Sequence, residues 1–189
     1  GPTLRADGSA RSTRAGAGPP HLDSASTELP DSLPWLHDSR RHRHDGQSDV
    51  KYGFVVPWAD AADVGDLAEA AEEAGWDGLF VWEPVWGVDA WISLGLAAVR
   101  TSRIRLGTML TAPSRRRPWE LASQVATVDR LSNGRVTLGV GLGATDSGFE
   151  TFGEECDRRV RAELMDECLD IVCGLWDGQP FEYSGTHYT

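Results

Sequence analysis

Apolar residues in this chain come as short continuous runs separated by stretches with helical spacing. Phe54, Leu79 and Ile104 open evenly pitched runs, and a fourth begins at Val136. Tyr52-Gly53-Phe54-Val55-Val56-Pro57 reads as a strand ended by proline, which has no amide hydrogen to give to a sheet ladder. Leu79-Phe80-Val81-Trp82 is apolar throughout, as a strand covered on both faces should be. Ile104 to Leu110 is the third predicted strand and Arg135 to about Val140 the fourth.

Between the strands the period changes. Val64, Leu67, Ala68 and Ala71 share one helical face, with Asp63 and Asp66 predicted as N-cap and acidic first turn and Gly75 closing the helix. A second helix starts near Asp89, turns Trp91, Leu94 and Ala98 inward and ends near Thr101. In a third, Pro118 occupies the first turn, Leu121, Val125, Val128 and Leu131 form the stripe, and Asn133-Gly134 end it. Arg158 to Trp176 predicts a fourth helix burying Leu164, Cys168, Ile171, Val172 and Leu175, and Phe181-Glu182-Tyr183 with His187-Tyr188 predicts the opening of a hairpin.

Strand and helix in alternation imply a parallel sheet, with chemistry at the carboxyl ends of its strands. Four such units are half of a TIM-like (β/α)8 barrel; an open four-stranded sheet with helices on both faces is the alternative. The barrel is the expectation, with residues 50–189 as its incomplete amino-terminal half. Residues 1–49 are rich in Gly, Ser, Pro, Arg and Asp and show no sustained apolar period, so they are expected to be a disordered tail.

Charge narrows the partners. With 18 basic against 29 acidic residues the formal net charge is -11, which opposes a nucleic acid or an anionic membrane surface. No run is long and apolar enough to span a bilayer. Three cysteines without CxxC spacing suggest neither a disulfide framework nor a zinc site, and a reducing cytoplasm is the expected compartment. His42, His44 and His187 have no second ligand set, so no metal is expected.

Candidate chemistry clusters after the strands. Gly139-Val-Gly141-Leu-Gly143 lacks the GxGxxG order of a dinucleotide loop and no Walker lysine follows it. Its small residues either let strands close up or leave bare backbone for a flat ring. Trp82-Glu83-Pro84-Val85-Trp86 places a carboxylate among aromatic rings, where Glu83 could act as acid or base, orient a cofactor, or form a rim salt bridge. Arg115-Arg116-Arg117 is either an anion site or a solvated loop cluster. Gly107-Thr108-Met109-Leu110 reads as core. No Ser/His/Asp or Cys/His set can be assembled, and no catalytic residue is assigned.

Taken together, Ile104-Arg-Leu-Gly-Thr, Arg115-Arg-Arg-Pro-Trp119, Leu131-Ser-Asn-Gly-Arg-Val136, Gly139-Val-Gly-Leu-Gly143, Phe152-Gly and Leu175-Trp-Asp-Gly178 resemble the luciferase-like monooxygenase family, in unbroken order from about Tyr52 to Thr189. The resemblance implies a TIM-like barrel, homodimeric when full length, that uses FMN or the deazaflavin F420 to oxidise, reduce or oxygenate a small organic substrate. It implies a non-proline cis peptide between Met109 and Leu110 and a ring lying against Glu83, Met109, Leu110, Gly141, Leu142 and Gly143. Two departures stand out. Glu83-Pro84 and Ala144 occupy the places of the Asp-His pair and the glutamate of the sugar-phosphate dehydrogenases in the F420 branch. The loops after strands seven and eight, which usually hold a phosphate, are not in this sequence, so weak binding of a flavin phosphate is expected. A non-catalytic or truncated half-barrel that pairs with another chain is the second expectation.

Overall fold

The computed structural model describes residues 50–144 and 146–189; the tail expected over 1–49 lies outside the described residues. Four strands and four helices alternate: β1 (Gly53–Val56), α1 (Ala61–Glu73), β2 (Gly78–Val81), α2 (Ala90–Arg100), β3 (Arg105–Thr108), α3 (Pro118–Leu131), β4 (Val136–Thr137) and α4 (Arg158–Trp176). Single 3-10 turns at Pro113–Arg115 and Glu150–Phe152 lie in the loops before α3 and α4.

The sheet order is β1-β2-β3-β4 and every pairing is parallel. Parallel crossovers are right-handed, so strands laid down in sequence order put all their helices on one face. A sheet covered on both faces needs its order to reverse, which it does not do here. The register aligns Phe54, Leu79 and Leu106, then Val56, Val81 and Thr108, on the helix-covered face. Leu79, Leu106 and Thr108 are fully buried there, against Val64 and Ala68 of α1, Leu94 and Ala97 of α2, and Leu121 and Val125 of α3. Phe80 stands on the opposite face over Gly53, Gly78 and Gly107, where an added Cβ would come within 2.9 to 3.0 Å of its ring.

The strands β3 and β4 run unusually close. A Cβ on Gly107 would overlap the carbonyl oxygen of Thr137, and one on Gly139 that of Thr108. Beyond the short β4 the pairing persists as a bridge between Thr111 and Val140, with the Thr111 amide donating to Gly139 O at 2.8 Å and the Gly141 amide to Thr111 O at 3.0 Å.

Two polar clamps hold the amino-terminal ends of the strands. Glu72, in the last turn of α1, accepts from the amides of Ser102 (3.0 Å), Arg103 (2.6 Å) and Ile104 (2.8 Å), anchoring the loop before β3. Burial would raise its pKa, but these three backbone donors and the Ser102 hydroxyl outweigh it and bring the carboxyl down to about 2. Arg135 closes the end of α2 in place of a glycine. Its guanidinium donates to Ala98 O, Thr101 O, Ile104 O, Thr101 Oγ1 and Ser132 O at 2.6 to 2.9 Å, so all five N–H groups are used. Burial lowers its pKa, partly countered by the charge of Glu72.

Several local expectations need correction. Asp60, not Asp63, is the N-cap of α1, and its side chain makes no capping bond; Asp63 lies in the first turn. Leu67, Leu131 and Leu175 are exposed, because each falls at the edge of its helix's buried stripe rather than within it. No hairpin forms among residues 181–188. The Gly185 amide donates to Tyr188 O at 2.8 Å, and Glu167 of α4 accepts from the amides of Thr186, His187 and Tyr188, so a helix carboxylate takes the donors a partner strand would have used. No helix of the described residues is long and apolar enough to cross a membrane.

Replacing Glu72 with Ala should cost about 2 to 3 kcal/mol at neutral pH, the scale of hydrogen bonds to a charged acceptor. Because the folded carboxyl titrates near 2 against an ordinary 4.5, the advantage over the variant is complete above the ordinary value and is lost as pH falls from 4.5 towards 2. Urea midpoints of the two proteins measured across that range check this. Gly107→Ala should destabilise by about 1 to 3 kcal/mol, since the obstructing atom is backbone and cannot rotate away; a thermal midpoint equal to wild type would contradict it.

Candidate active site

Because every strand is parallel, the loops after β1, β2, β3 and β4 leave from the same end of the sheet, and they enclose a cavity of about 630 Å3. Trp58 comes from the first loop, Trp82 to Trp86 from the second, Met109, Leu110, Ala112 and Arg115 from the third, and Leu142 to Ala144, Ser147 and Phe149 from the fourth. Trp58 (73 % exposed), Trp86 (70 %) and Met109 (49 %) present large apolar surface to solvent there. The Trp58 and Trp82 rings meet edge to face with centroids 6.3 Å apart. Exposed aromatic area of this kind around a concavity is the usual signature of a ligand site.

Of the residues singled out in the sequence, Glu83, Met109, Leu110, Leu142 and Gly143 line the cavity. Gly141 sits one layer back, where a Cβ would press to 2.6 Å from Leu110 Cδ2. The Met109–Leu110 peptide is cis and is not followed by proline. Gly143 is in the left-handed region at φ 71°, so glycine is needed there for its backbone as well as for space. Gly139 serves a different end, the close approach of β3 and β4 described above.

Glu83 is not a free acid or base. Its side chain is 3 % exposed and forms ion pairs with Arg116 and, at 3.9 Å, with Arg115. Arg116 Nε donates to Glu83 Oε1 at 2.6 Å and Thr111 Oγ1 to Glu83 Oε2 at 2.5 Å. Arg116 also donates to Gln124 Oε1 at 2.6 Å, while Arg115 donates to the carbonyls of Pro84 (3.1 Å) and Val85 (2.9 Å). The Thr111 and Thr108 hydroxyl oxygens lie 3.0 Å apart, and Thr108 donates to Gly139 O at 3.0 Å, so the network runs from the β2 loop through the β3 loop to β4. Two of the three arginines, left open in the sequence as an anion site or a solvated loop cluster, are thus largely buried braces. The third, Arg117, lies 5.9 Å from the Trp119 ring.

Sequence reasoning missed Trp58, Arg158 and Phe149. Trp58 was recoverable, since it follows Pro57 in an exit loop. Phe149 is 2 % exposed inside an acidic, glycine-rich loop with no periodicity, and only the folded chain reveals its place.

As a whole the cavity offers shape and apolar surface rather than reagents. Among the described residues its one lining carboxylate is held by two guanidiniums and a hydroxyl. The arrangement can seat a flat ring; among the described residues its wall has no histidine and no free carboxylate.

The chain is similar to known proteins in sequence and in fold. An F420-dependent glucose-6-phosphate dehydrogenase of Nakamurella multipartita is 30 % identical over 138 residues, 67 % of this chain and 40 % of that one. The F420-dependent tetrahydromethanopterin reductase of Methanopyrus kandleri superposes with a TM-score of 0.66 at 27 % identity, covering 74 % of this chain and 44 % of that one. The FMN-bound oxygenating constituent of 3,6-diketocamphane monooxygenase from Pseudomonas putida shares the fold, with a TM-score of 0.64 at 19 % identity over 73 % of this chain and 42 % of that one. The chain spans about a third to two fifths of the length of the curated relatives it matches. Its parallel units therefore correspond to the first part of a TIM-like barrel. The family model described as luciferase-like monooxygenase matches residues 35–189, and the chain belongs to that family.

Proposed function

We propose that this chain forms the amino-terminal half of a flavin- or F420-dependent oxidoreductase acting on a small organic substrate. The observation that carries the reading is the exit-loop cavity of about 630 Å3 with its tryptophan and methionine walls. FMN or F420 would lie against Met109, Leu110, Leu142 and Gly143, with Gly141 supporting Leu110 from behind and Glu83 bracing the two central loops. When bound, such a cofactor supplies hydride transfer or oxygen activation, and the protein's part is binding and orientation.

That division of labour suits the residues present. Trp58, Trp82 and Trp86 would cover the ring and exclude water. The Glu83–Arg116–Arg115 network keeps the second and third loops at a set distance, so Glu83 is a positioning residue. The work is proposed to take place in the cytoplasm, where the three free thiols Cys156, Cys168 and Cys173 would stay reduced, and the full-length protein is proposed to be a homodimer. One observation favours a second reading: the outer edge of β4 has no strand partner among the described residues, as a half-barrel that pairs with another chain would require.

Titrating FMN and F420 into the protein while following the visible absorbance and the tryptophan emission tests the first reading. One of the two should bind saturably, though weakly for want of the loops after strands seven and eight, and Met109→Glu should weaken it by about tenfold or more with unchanged unfolding, since Met109 is exposed. Neither ligand binding, or a Met109→Glu protein that binds as well as wild type, would count against it; co-elution with a second chain and no chromophore would favour the half-barrel subunit. Glu83→Ala should lose about 3 kcal/mol of stability in urea, because the largely buried Arg116 guanidinium loses its carboxylate and keeps only Gln124, while Arg115 retains the Pro84 and Val85 carbonyls. Full stability with abolished turnover would instead make Glu83 a proton-transfer residue.

A further inference from the structure

Beside the exit-loop cavity is a smaller one of about 300 Å3 that the proposed chemistry leaves unused. Its floor belongs to the helix-covered side of the sheet. Val56 of β1 and Val81 of β2 lie side by side in register there, Val64 comes from the first turn of α1, and Ala90 and Ser93 come from the first turn of α2. The space is therefore held between the sheet and its first two helices.

Its chemistry is one-sided. Val56, Val64, Val81 and Ala90 are buried, and the Ser93 hydroxyl already donates to Asp89 O at 2.9 Å. Among the described residues no titratable side chain lines the space. A charged group would be desolvated there with no side chain to pair it, whereas a hydrocarbon gives up nothing. Apolar cavities of about 150 Å3 stay dry and hold one benzene ring, so this one has room for a substituent of about twice that size.

Four residues line both cavities: Trp58, Trp82, Pro84 and Trp86. They stand between the two spaces, and Val88, 38 % exposed, lines the solvent side of the smaller one. One molecule can reach from one space to the other along the tryptophan faces. Trp58 and Trp86, which leave most of their area in solvent, gain apolar cover from it.

We propose that the smaller cavity takes an uncharged hydrocarbon part of the substrate, held between β1, β2, α1 and α2, while the reacting end crosses the tryptophans into the larger cavity. This rests on the reading of the larger cavity as the active site. The substrate class is a molecule whose unreacting end is a neutral alkyl chain or ring system. Selectivity for that end comes from Val64, Val88, Ala90 and Ser93, none of which lines the larger cavity.

Calorimetric titration with straight-chain primary alcohols from butanol to decanol tests it. Affinity should rise by about threefold to fourfold with each added methylene and level off once the space is full. Val64→Phe, which fills the cavity from α1, should abolish most of that gain. Val88→Glu, at an exposed position, should weaken decanol by about tenfold with the unfolding midpoint in place and the affinity for FMN or F420 unchanged. Should Val64→Phe fail to fold, Val88→Glu still decides. An affinity independent of chain length, or one that either folded variant leaves unchanged, overturns the hydrocarbon site and leaves the active-site reading intact. Loss of cofactor and alcohol together in Val88→Glu places both in one cavity and overturns it as well. Chain-length dependence that the variants remove, in a protein that binds neither cofactor, upholds the hydrocarbon site and sinks the active-site reading.

Discussion

A parallel sheet whose strands follow one another in sequence order has little freedom left. Each right-handed crossover must return over the same face, so α1, α2 and α3 form one layer and every exit loop leaves from one end. The two ends then carry different duties. At the entry end, Glu72 and Arg135 spend their hydrogen bonds on backbone groups that secondary structure leaves unpaired. At the exit end, the polar residues hold loops apart and the apolar ones remain in view of solvent.

The Glu83 network shows how an acidic residue in a cleft can be structural. A buried carboxylate between two guanidiniums gains little over well-packed apolar groups, because desolvation offsets most of the attraction. What it does provide is geometry. Arg116 reaches from the loop before α3 to both Glu83 and Gln124, and Arg115 ties its backbone neighbours Pro84 and Val85, so the second exit loop is held at both of its walls. Arg161 lacks any such arrangement: it is fully buried, yet none of its guanidinium nitrogens meets an acceptor among the described residues, and its contact is the Phe149 ring.

The glycine series divides along the same lines. The alternatives left open by its sequence, close strand approach or bare backbone beside a ring, turn out to apply to different members. Gly139 permits β4 to reach within van der Waals limits of the Thr108 carbonyl, Gly141 backs the Leu110 side chain, and Gly143 turns the chain through a left-handed conformation at the cavity wall.

Much of this was legible beforehand. Apolar runs broken by helical spacing give the order of elements, Asp89 caps α2, Pro118 opens α3 and Asn133-Gly134 both take positive φ at its end, because these signals act over a few residues. Motif resemblance pointed to Met109–Leu110 and the Gly141–Gly143 stretch. The errors also follow a pattern: Leu67, Leu131 and Leu175 continue a helical period but lie at stripe edges, and residues 181–188 look like a hairpin until Glu167 takes their amides. What the sequence by itself determined is the alternation of strand and helix and the identity of the exit loops, since both arise from local periodicity and turn chemistry. Only the tertiary structure decided which charges are spent and which are not, because Glu83, Arg116, Phe149 and Arg161 are far apart along the chain and their pairing depends on how four loops converge on one end of a sheet.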